Sequence, residues 1–238
     1  MEVRGASALV TGAGRGIGRA VALALGREGA AVTLVARTRS EIEGAAGEIA
    51  RLGGRAHAFA GDLRDRETCD AAVSEAVRVH GGLAILVNNA GVGGASPLAE
   101  TTDEDWERIL GLNLTAVFRV TRAALPHLTR AGGHVFMISS LAGQNPIPNL
   151  AAYCASKAAL DHLAGCLMLE VRQSGVKVTT IAPGSVDTGF GGMPRGGDSS
   201  WMLTADDVAR TVLDLLRMRD DAHLSRVEMR PSRPKPRV

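Results

Sequence analysis

Short apolar runs alternate with stretches of helical periodicity along this 238-residue chain. No other feature constrains the fold as much. Six runs read as strands: Ser7–Thr11, Ala31–Ala36, Ala56–Ala60, Leu83–Asn88, His134–Ser139 and Lys177–Ala182. Gly, Asp, Asn or Pro bounds each of them. They are rich in Val and Ile and apolar throughout, the pattern of strands covered on both faces. Helical spacing fills the gaps at Gly16–Glu28, Ser40–Leu52, Asp65–His80, Asp103–Leu128, Ala151–Gln173 and Ala205–Arg217. Thr102 and Thr204 stand at N-cap positions, each with an Asp three residues on. A last strand is expected at Ser225–Met229. Pro231, Pro234 and Pro236 follow it, so 231–238 reads as a mobile tail. Alternation of this kind implies an α/β fold, a doubly wound Rossmann sheet of parallel strands with helices on both faces. No linker, repeat or low-complexity block interrupts it, and residues 1–238 read as a single domain.

Composition narrows the class of partner. Hydrophobic residues make up 45% of the chain, enough for a sizeable core. A formal net charge of +2 gives no global electrostatic case for nucleic acid or an acidic membrane. No apolar run reaches membrane-spanning length, and the start does not read as a signal peptide. Cys69, Cys154 and Cys166 have unrelated spacing and form neither a metal nor a disulfide framework, which fits a reducing cytoplasm. The six histidines are scattered without ligand spacing, so no metal is expected.

The first strand runs into Thr11-Gly12-Ala13-Gly14-Arg15-Gly16-Ile17-Gly18 and then into a helix. Glycines there let the backbone turn tightly and approach a pyrophosphate, and the helix N-terminus presents N–H groups to it. An acid at the end of the second strand would bind a ribose 2′-hydroxyl. This chain has Ala36 there, then Arg37. With Arg15 in the loop, two guanidiniums suit a 2′-phosphate, so NADP(H) is favoured over NAD(H). The bland alternative is two surface arginines in an arginine-rich chain. Asp62, with Leu63 after it, ends the third strand where it can accept from an adenine amine, or simply start a helix. Asn88-Asn89-Ala90-Gly91 ends the fourth strand at the sheet edge where ligands bind, or is a turn device.

The only tyrosine, Tyr153, lies thirteen residues after Ser140 and four before Lys157. Only Lys157, Lys177 and Lys235 are lysines in a chain whose default cation is arginine. An amine shifts its protonation readily and a guanidinium does not, so a lysine one helical turn from the sole phenol suggests proton chemistry. A phenol titrates near ~10 and needs help to cycle near neutrality, which a neighbouring cation supplies. Ser140 can hold a substrate oxygen. Each also has a structural reading: Tyr153 as an anchor, Lys157 as a solvated helix lysine, Ser139 and Ser140 as a strand end.

Together these residues resemble the short-chain dehydrogenase/reductase family. The pieces that match are Thr11–Gly18, Asn88–Gly91, Asn113, Ser140, Tyr153 with Lys157, and Pro183-Gly184-Ser185-Val186-Asp187-Thr188. The resemblance runs from Ser7 to about Thr188. It implies a seven-stranded parallel sheet with a dinucleotide across the carboxyl ends of its strands. It implies Asn113, Ser140, Tyr153 and Lys157 as catalytic residues, with Asn113 bending its helix and holding a water that links Lys157 to solvent. It places Gly12, Gly14, Arg15, Gly16, Ile17, Gly18, Arg37, Asp62, Leu63, Asn88, Ala90, Gly91, Tyr153, Lys157, Pro183, Gly184, Val186 and Thr188 at the cofactor, Thr188 on the nicotinamide carboxamide. It also implies a homodimer or homotetramer packed through Asp103–Leu128 and Ala151–Gln173.

The expected activity is interconversion of a small-molecule carbonyl and a secondary alcohol, with Tyr153 as general acid and base. Gly189–Leu203, with Phe190, Met193, Pro194 and Trp201 among several glycines, reads as a substrate lid or as a surface loop; Arg195 is its one residue that could select a charged substrate. Ser140, Tyr153, Gln144, Ile147, Phe190 and Trp201 are the candidate substrate contacts. The ending Arg226-Val227-Glu228-Met229-Arg230-Pro231 departs from the Gly-rich ending usual in 3-oxoacyl thioester reductases of this family. That function stays an alternative. A nucleotide-sugar epimerase would need a larger region than the 50 residues after Thr188. A non-enzymatic dinucleotide sensor would not need Tyr153 and Lys157.

Overall fold

A computed structural model describes residues 1–192 and 198–233. Seven parallel strands form one sheet in the order β3-β2-β1-β4-β5-β6-β7. They are β1 Ser7–Thr11, β2 Ala31–Ala36, β3 Arg55–Ala60, β4 Ile85–Asn88, β5 His134–Ile138, β6 Lys177–Pro183 and β7 Arg226–Met229. The strand order reverses direction on either side of β1, and the crevice between β1 and β4 opens at their carboxyl ends.

Helices α1 Gly16–Arg27, α2 Arg39–Arg51 and α7 Ala205–Leu216 cover one face. Leu25, Ile42, Ile49 and Val212 pack there against Val10, Leu34, Val87 and Phe136. Helices α3 Arg66–His80, α5 Ala116–Ala131 and α6 Ala151–Val171 cover the other, where Val73, Val120, Leu128 and Leu160 meet Leu9, Leu86 and Met137. The strands are apolar in both directions because each strand feeds both layers.

Local chemistry fixes the helix starts. Asp65 accepts from the N–H groups of Glu67 and Thr68 at the head of α3. Thr102 caps α4 Asp103–Leu110, and Thr204 forms a reciprocal capping box with Asp207 on α7.

One expected element is two. The helix anticipated over Asp103–Leu128 is broken by a π-helical turn, Gly111–Thr115, between α4 and α5. The cause is Asn113, fully buried, whose amide bonds both backbone groups of Val92. A smooth helix would not aim that side chain at the strand-end loop, and one extra residue per turn does. Lid residues Met193, Pro194 and Arg195 and tail residues Pro234 and Pro236 lie outside the described residues. No described helix is long and apolar enough to cross a membrane.

Phe136 on the interior strand β5 is fully buried and stacks on His134 at 4.0 Å. Phe136→Ala is expected to lower unfolding free energy by about 3–5 kcal/mol in chemical denaturation, with the sheet signal retained in circular dichroism.

Candidate active site

The site is assembled where β1, β4, β5 and β6 end. At β1, the loop reverses through Gly12 at φ +65° and passes Gly18 so closely that a Cβ there would stand 2.3 Å from the Gly12 carbonyl oxygen. No side chain fits that position. Thr188, after β6, packs against Gly16, a Cβ on which would lie 3.1 Å from the threonine Cβ. The glycine loop and the Pro183–Thr188 segment therefore form two sides of one groove, the shape a pyrophosphate and its attached rings need.

The loop is held by Thr11 and Asn89, which the sequence places in the two motifs without a role of their own. Thr11 Oγ1 donates to the Val87 carbonyl at 3.2 Å and accepts from the N–H groups of Asn89 at 2.9 Å and Ala90 at 3.0 Å. The Asn89 amide donates to the carbonyls of Thr11 at 2.9 Å and Gly12 at 3.2 Å. The Asn88 side chain is buried and donates to Thr121 Oγ1 at 2.9 Å, in the α3–α5–α6 layer, which leaves its backbone for a ligand. A strand side chain at the next position points the opposite way, so the second Asn of the pair is the one that faces the loop.

Other expected cofactor residues divide by environment. Leu63 and Val186 are buried in the core, so only their backbones are available to a ligand. Gly184 donates its N–H to the Met229 carbonyl at 2.8 Å. Asp62 is gripped by Arg64, whose Nη2 lies 2.6 Å from Oδ2. That bond holds the carboxyl below its ordinary titration range. Arg15 and Arg37 are exposed and make no ion pair among the described residues. Glu41, at the head of α2, also reaches the loop: its Oε2 would lie 2.5 Å from a Cβ on Gly14. Nothing in its spacing distinguished it from an ordinary first-turn acid.

At the end of β5, Ser139 turns inward and Ser140 turns toward Tyr153. Ser139 is buried, its hydroxyl 3.5 Å from the Lys157 carbonyl. Ser140 Oγ accepts from the Ala142 N–H at 3.1 Å and bonds the Tyr153 phenol. Burial pushes the phenol above its ordinary titration range, and the bond from Ser140 works in the opposite direction. Lys157, one turn along α6, has its Nζ 5.8 Å from the centre of the phenol ring and 2.9 Å from the Ile138 carbonyl. Only 5% of the residue is exposed, and burial lowers the amine from 10.5 to about 8. Asn113 reaches the same helix: its amide donates to Ser156 Oγ at 3.0 Å, and that hydroxyl donates to the Tyr153 carbonyl at 2.7 Å. The four residues are thus linked through α6 and β5.

Of the candidate substrate contacts, Phe190 lies against Tyr153, ring centres 5.8 Å apart. Gly93 makes room for it, since a Cβ there would meet the Phe190 ring at 3.2 Å. Ile147 is exposed. The Gln144 side chain bonds Glu228 on β7. Trp201 donates its indole N–H to the Asp198 carbonyl at 3.1 Å.

A buried ammonium costs stability as long as it is charged. Folding here favours the neutral amine, so the penalty is full below pH 8 and disappears as pH rises toward 10.5, a difference worth roughly 3 kcal/mol. Urea titrations of wild type and Lys157→Met at several pH values are expected to show the wild type gaining on the variant across that window. A constant difference between the two proteins would contradict burial of the charge.

Comparison with known proteins agrees with this geometry. Residues 6–194 match the model of the short chain dehydrogenase family. A probable oxidoreductase of Mycobacterium tuberculosis, EphD, is 41% identical over 181 residues, 75% of this chain and 31% of that protein. The chain thus spans about a third of the length of that relative. Among solved structures, an alcohol dehydrogenase of Thermococcus sibiricus complexed with 5-hydroxy-NADP superposes with a TM-score of 0.91 at 30% identity, covering 97% of this chain and 98% of that one. A 3-ketoacyl-(acyl-carrier-protein) reductase of Brucella melitensis complexed with NADH gives 0.89 at 29% identity, covering 97% and 98%.

Proposed function

The chain belongs to the short-chain dehydrogenase family, and from that premise we propose that it interconverts a carbonyl and a secondary alcohol using NADP(H), with Tyr153 moving the proton. One observation carries this reading. The only phenol in the chain stands at the carboxyl rim of the sheet, bonded to Ser140, one turn from a buried amine and beside Phe190.

A bound nicotinamide would supply the hydride, or accept it. The protein's own residues handle the oxygen. Tyr153 Oη gives a proton to the developing alkoxide or takes one from the alcohol. Ser140 Oγ holds the same oxygen and keeps it within reach of the phenol. Burial alone would keep the phenol protonated, so a positive charge is needed to let it cycle. Lys157 supplies it and, with its pKa near 8, exchanges protons close to neutrality. The π turn at Gly111–Thr115 interrupts the ordinary helical hydrogen bonding beside Lys157, which suits a main-chain site for a relaying water. Gly12, Gly14, Gly16, Ile17, Gly18, Ala90, Gly91, Pro183 and Thr188 would line the dinucleotide groove.

The preference for NADP(H) rests on charge. Arg15 and Arg37, exposed and in no ion pair among the described residues, would grip a 2′-phosphate, whereas Glu41 and Asp62, on which Arg37 acts, oppose it. Arg64 already neutralises Asp62, so the two guanidiniums outweigh Glu41. Phe190 and Ile147 make an apolar carbonyl compound the natural substrate, with Gly189–Leu203 as its lid. A 3-oxoacyl thioester is the second reading, supported by the likeness to the Brucella melitensis reductase. Exposed Trp106, Phe118 and Leu169 on α4, α5 and α6 would be covered in a homodimer or homotetramer. We place the enzyme in the cytoplasm and read residues 1–238 as a single catalytic domain.

Two measurements test this reading. Tyr153→Phe is expected to bind NADPH as wild type does and to lose about 10²–10⁴-fold in kcat against a ketone panel. Retained turnover would assign the acid elsewhere. Fluorescence titration is expected to show NADPH binding more tightly than NADH, with the gap closing in Arg37→Ala. Equal affinities in wild type would refute the cofactor assignment.

A further inference from the structure

One turn beyond Lys157 on the same face of α6 lies a carboxylate that the scheme above does not use. Asp161 has a side chain only 8% exposed. Its Oδ2 accepts from Arg226 Nη2 at 2.9 Å, and its Oδ1 is buried with no hydrogen-bond partner among the described residues. The carboxylate lies against the turn that follows Ser140, since a Cβ on Gly143 would stand 2.8 Å from Oδ2 and 3.1 Å from the Lys157 carbonyl. Arg226 opens β7, in the C-terminal segment that departs from the family's reductase ending. Its Nε lies 3.9 Å from Glu228 Oε1, and Arg230 bonds Glu228 at 3.1 Å. A row of alternating charges thus runs from Lys157 through Asp161, Arg226 and Glu228 to Arg230.

A strut tying β7 to α6 would need one bond from Asp161 to Arg226 and no more. It would not favour a carboxylate with an unpaired buried oxygen, which is costly unless its charge is useful. Its charge does bear on Lys157. Burial drives that amine toward the neutral form, and among the described residues the charge opposing this is Asp161. Among the described residues, the titratable groups around the pair are Tyr153 with Cys154 beside it on α6, and Arg226 with Glu228 on β7. From β5 and the strand end come only the Ile138 carbonyl and the Ser139 hydroxyl.

We infer that Asp161, held by Arg226, is a positioning residue that keeps the buried Lys157 amine charged, so that the C-terminal strand governs the proton-transfer residue. The inference rests on the reading that Lys157 supports proton transfer by Tyr153. Arg226 tempers the effect: it neutralises part of the Asp161 charge, so the two residues act on Lys157 in opposite directions.

The chain has only three lysines, so the side chain of Lys157 is directly observable. In protein carrying ¹³Cε-labelled lysine, its NMR signal is the one absent from Lys157→Met. The wild-type signal is expected to titrate near pH 8. In Asp161→Asn the midpoint is expected to fall by about one pH unit, and in Arg226→Gln it is expected to rise. The alkaline limb of kcat/KM for ketone reduction should move with it in each variant. An unmoved Lys157 in Asp161→Asn overturns the inference. So does a shift of the same sign in both variants, the signature of loosened packing. Should Asp161→Asn not fold, Arg226→Gln decides alone, because its side chain is partly exposed and tolerates the change; a fall or no movement there is a refutation. A wild type that turns over no carbonyl or alcohol defeats the enzymatic reading instead, and the lysine titration, which needs no turnover, still judges this one.

Discussion

The bond from Lys157 Nζ to the Ile138 carbonyl fixes everything around the phenol. It pins α6 to the last residue of β5, and Ser139 and Ser140 follow at once. With that register set, Tyr153 one turn back along α6 can face only the Ser140 hydroxyl. The bond also places a charge where water is scarce. A hydrophobic residue at 157 would give a quieter core, and the chain accepts the cost of the amine instead. Costs of that size concentrate where a group must change its protonation.

Asn113 is the second fixed point. Its three side-chain bonds join the loop after β4 to α6 through Val92 and Ser156. Those bonds need a side chain that both donates and accepts, buried, at a particular turn of a helix. The π turn is the backbone's accommodation to that demand. Removing the amide would leave two backbone groups of Val92 without partners in a dry place and take from the Ser156 hydroxyl its donor, so the irregular turn is less costly than a regular helix without it.

Much of this was legible in the sequence because the signals are local. Strand and helix positions follow from periodicity, and all seven strands appear within two residues of their expected bounds at each end. The glycine loop is legible because its positions depend on backbone geometry alone. What escaped depends on which way a side chain turns at the end of a strand. Asn88 and Asn89 are indistinguishable as letters, yet one serves the core and the other the loop. Asp62 reads as a free acceptor, and its neighbour Arg64, two residues on, occupies it. Asp161 and Arg226 are 65 residues apart, and nothing local pairs them.

That last pair shows why the departure of the C-terminal segment matters beyond classification. β7 is an edge strand, paired among the described residues only with β6. Edge strands tolerate change, since few core contacts depend on them. Here the first residue of the edge strand reaches back across β6 to a carboxylate on α6 beneath the Ser140 turn. Variation at such a strand can alter the charge felt by a buried amine without touching the amine, the phenol or the groove. In the proposed chemistry the rim residues fix which atoms react, and the edge strand adjusts the pH range in which they do so.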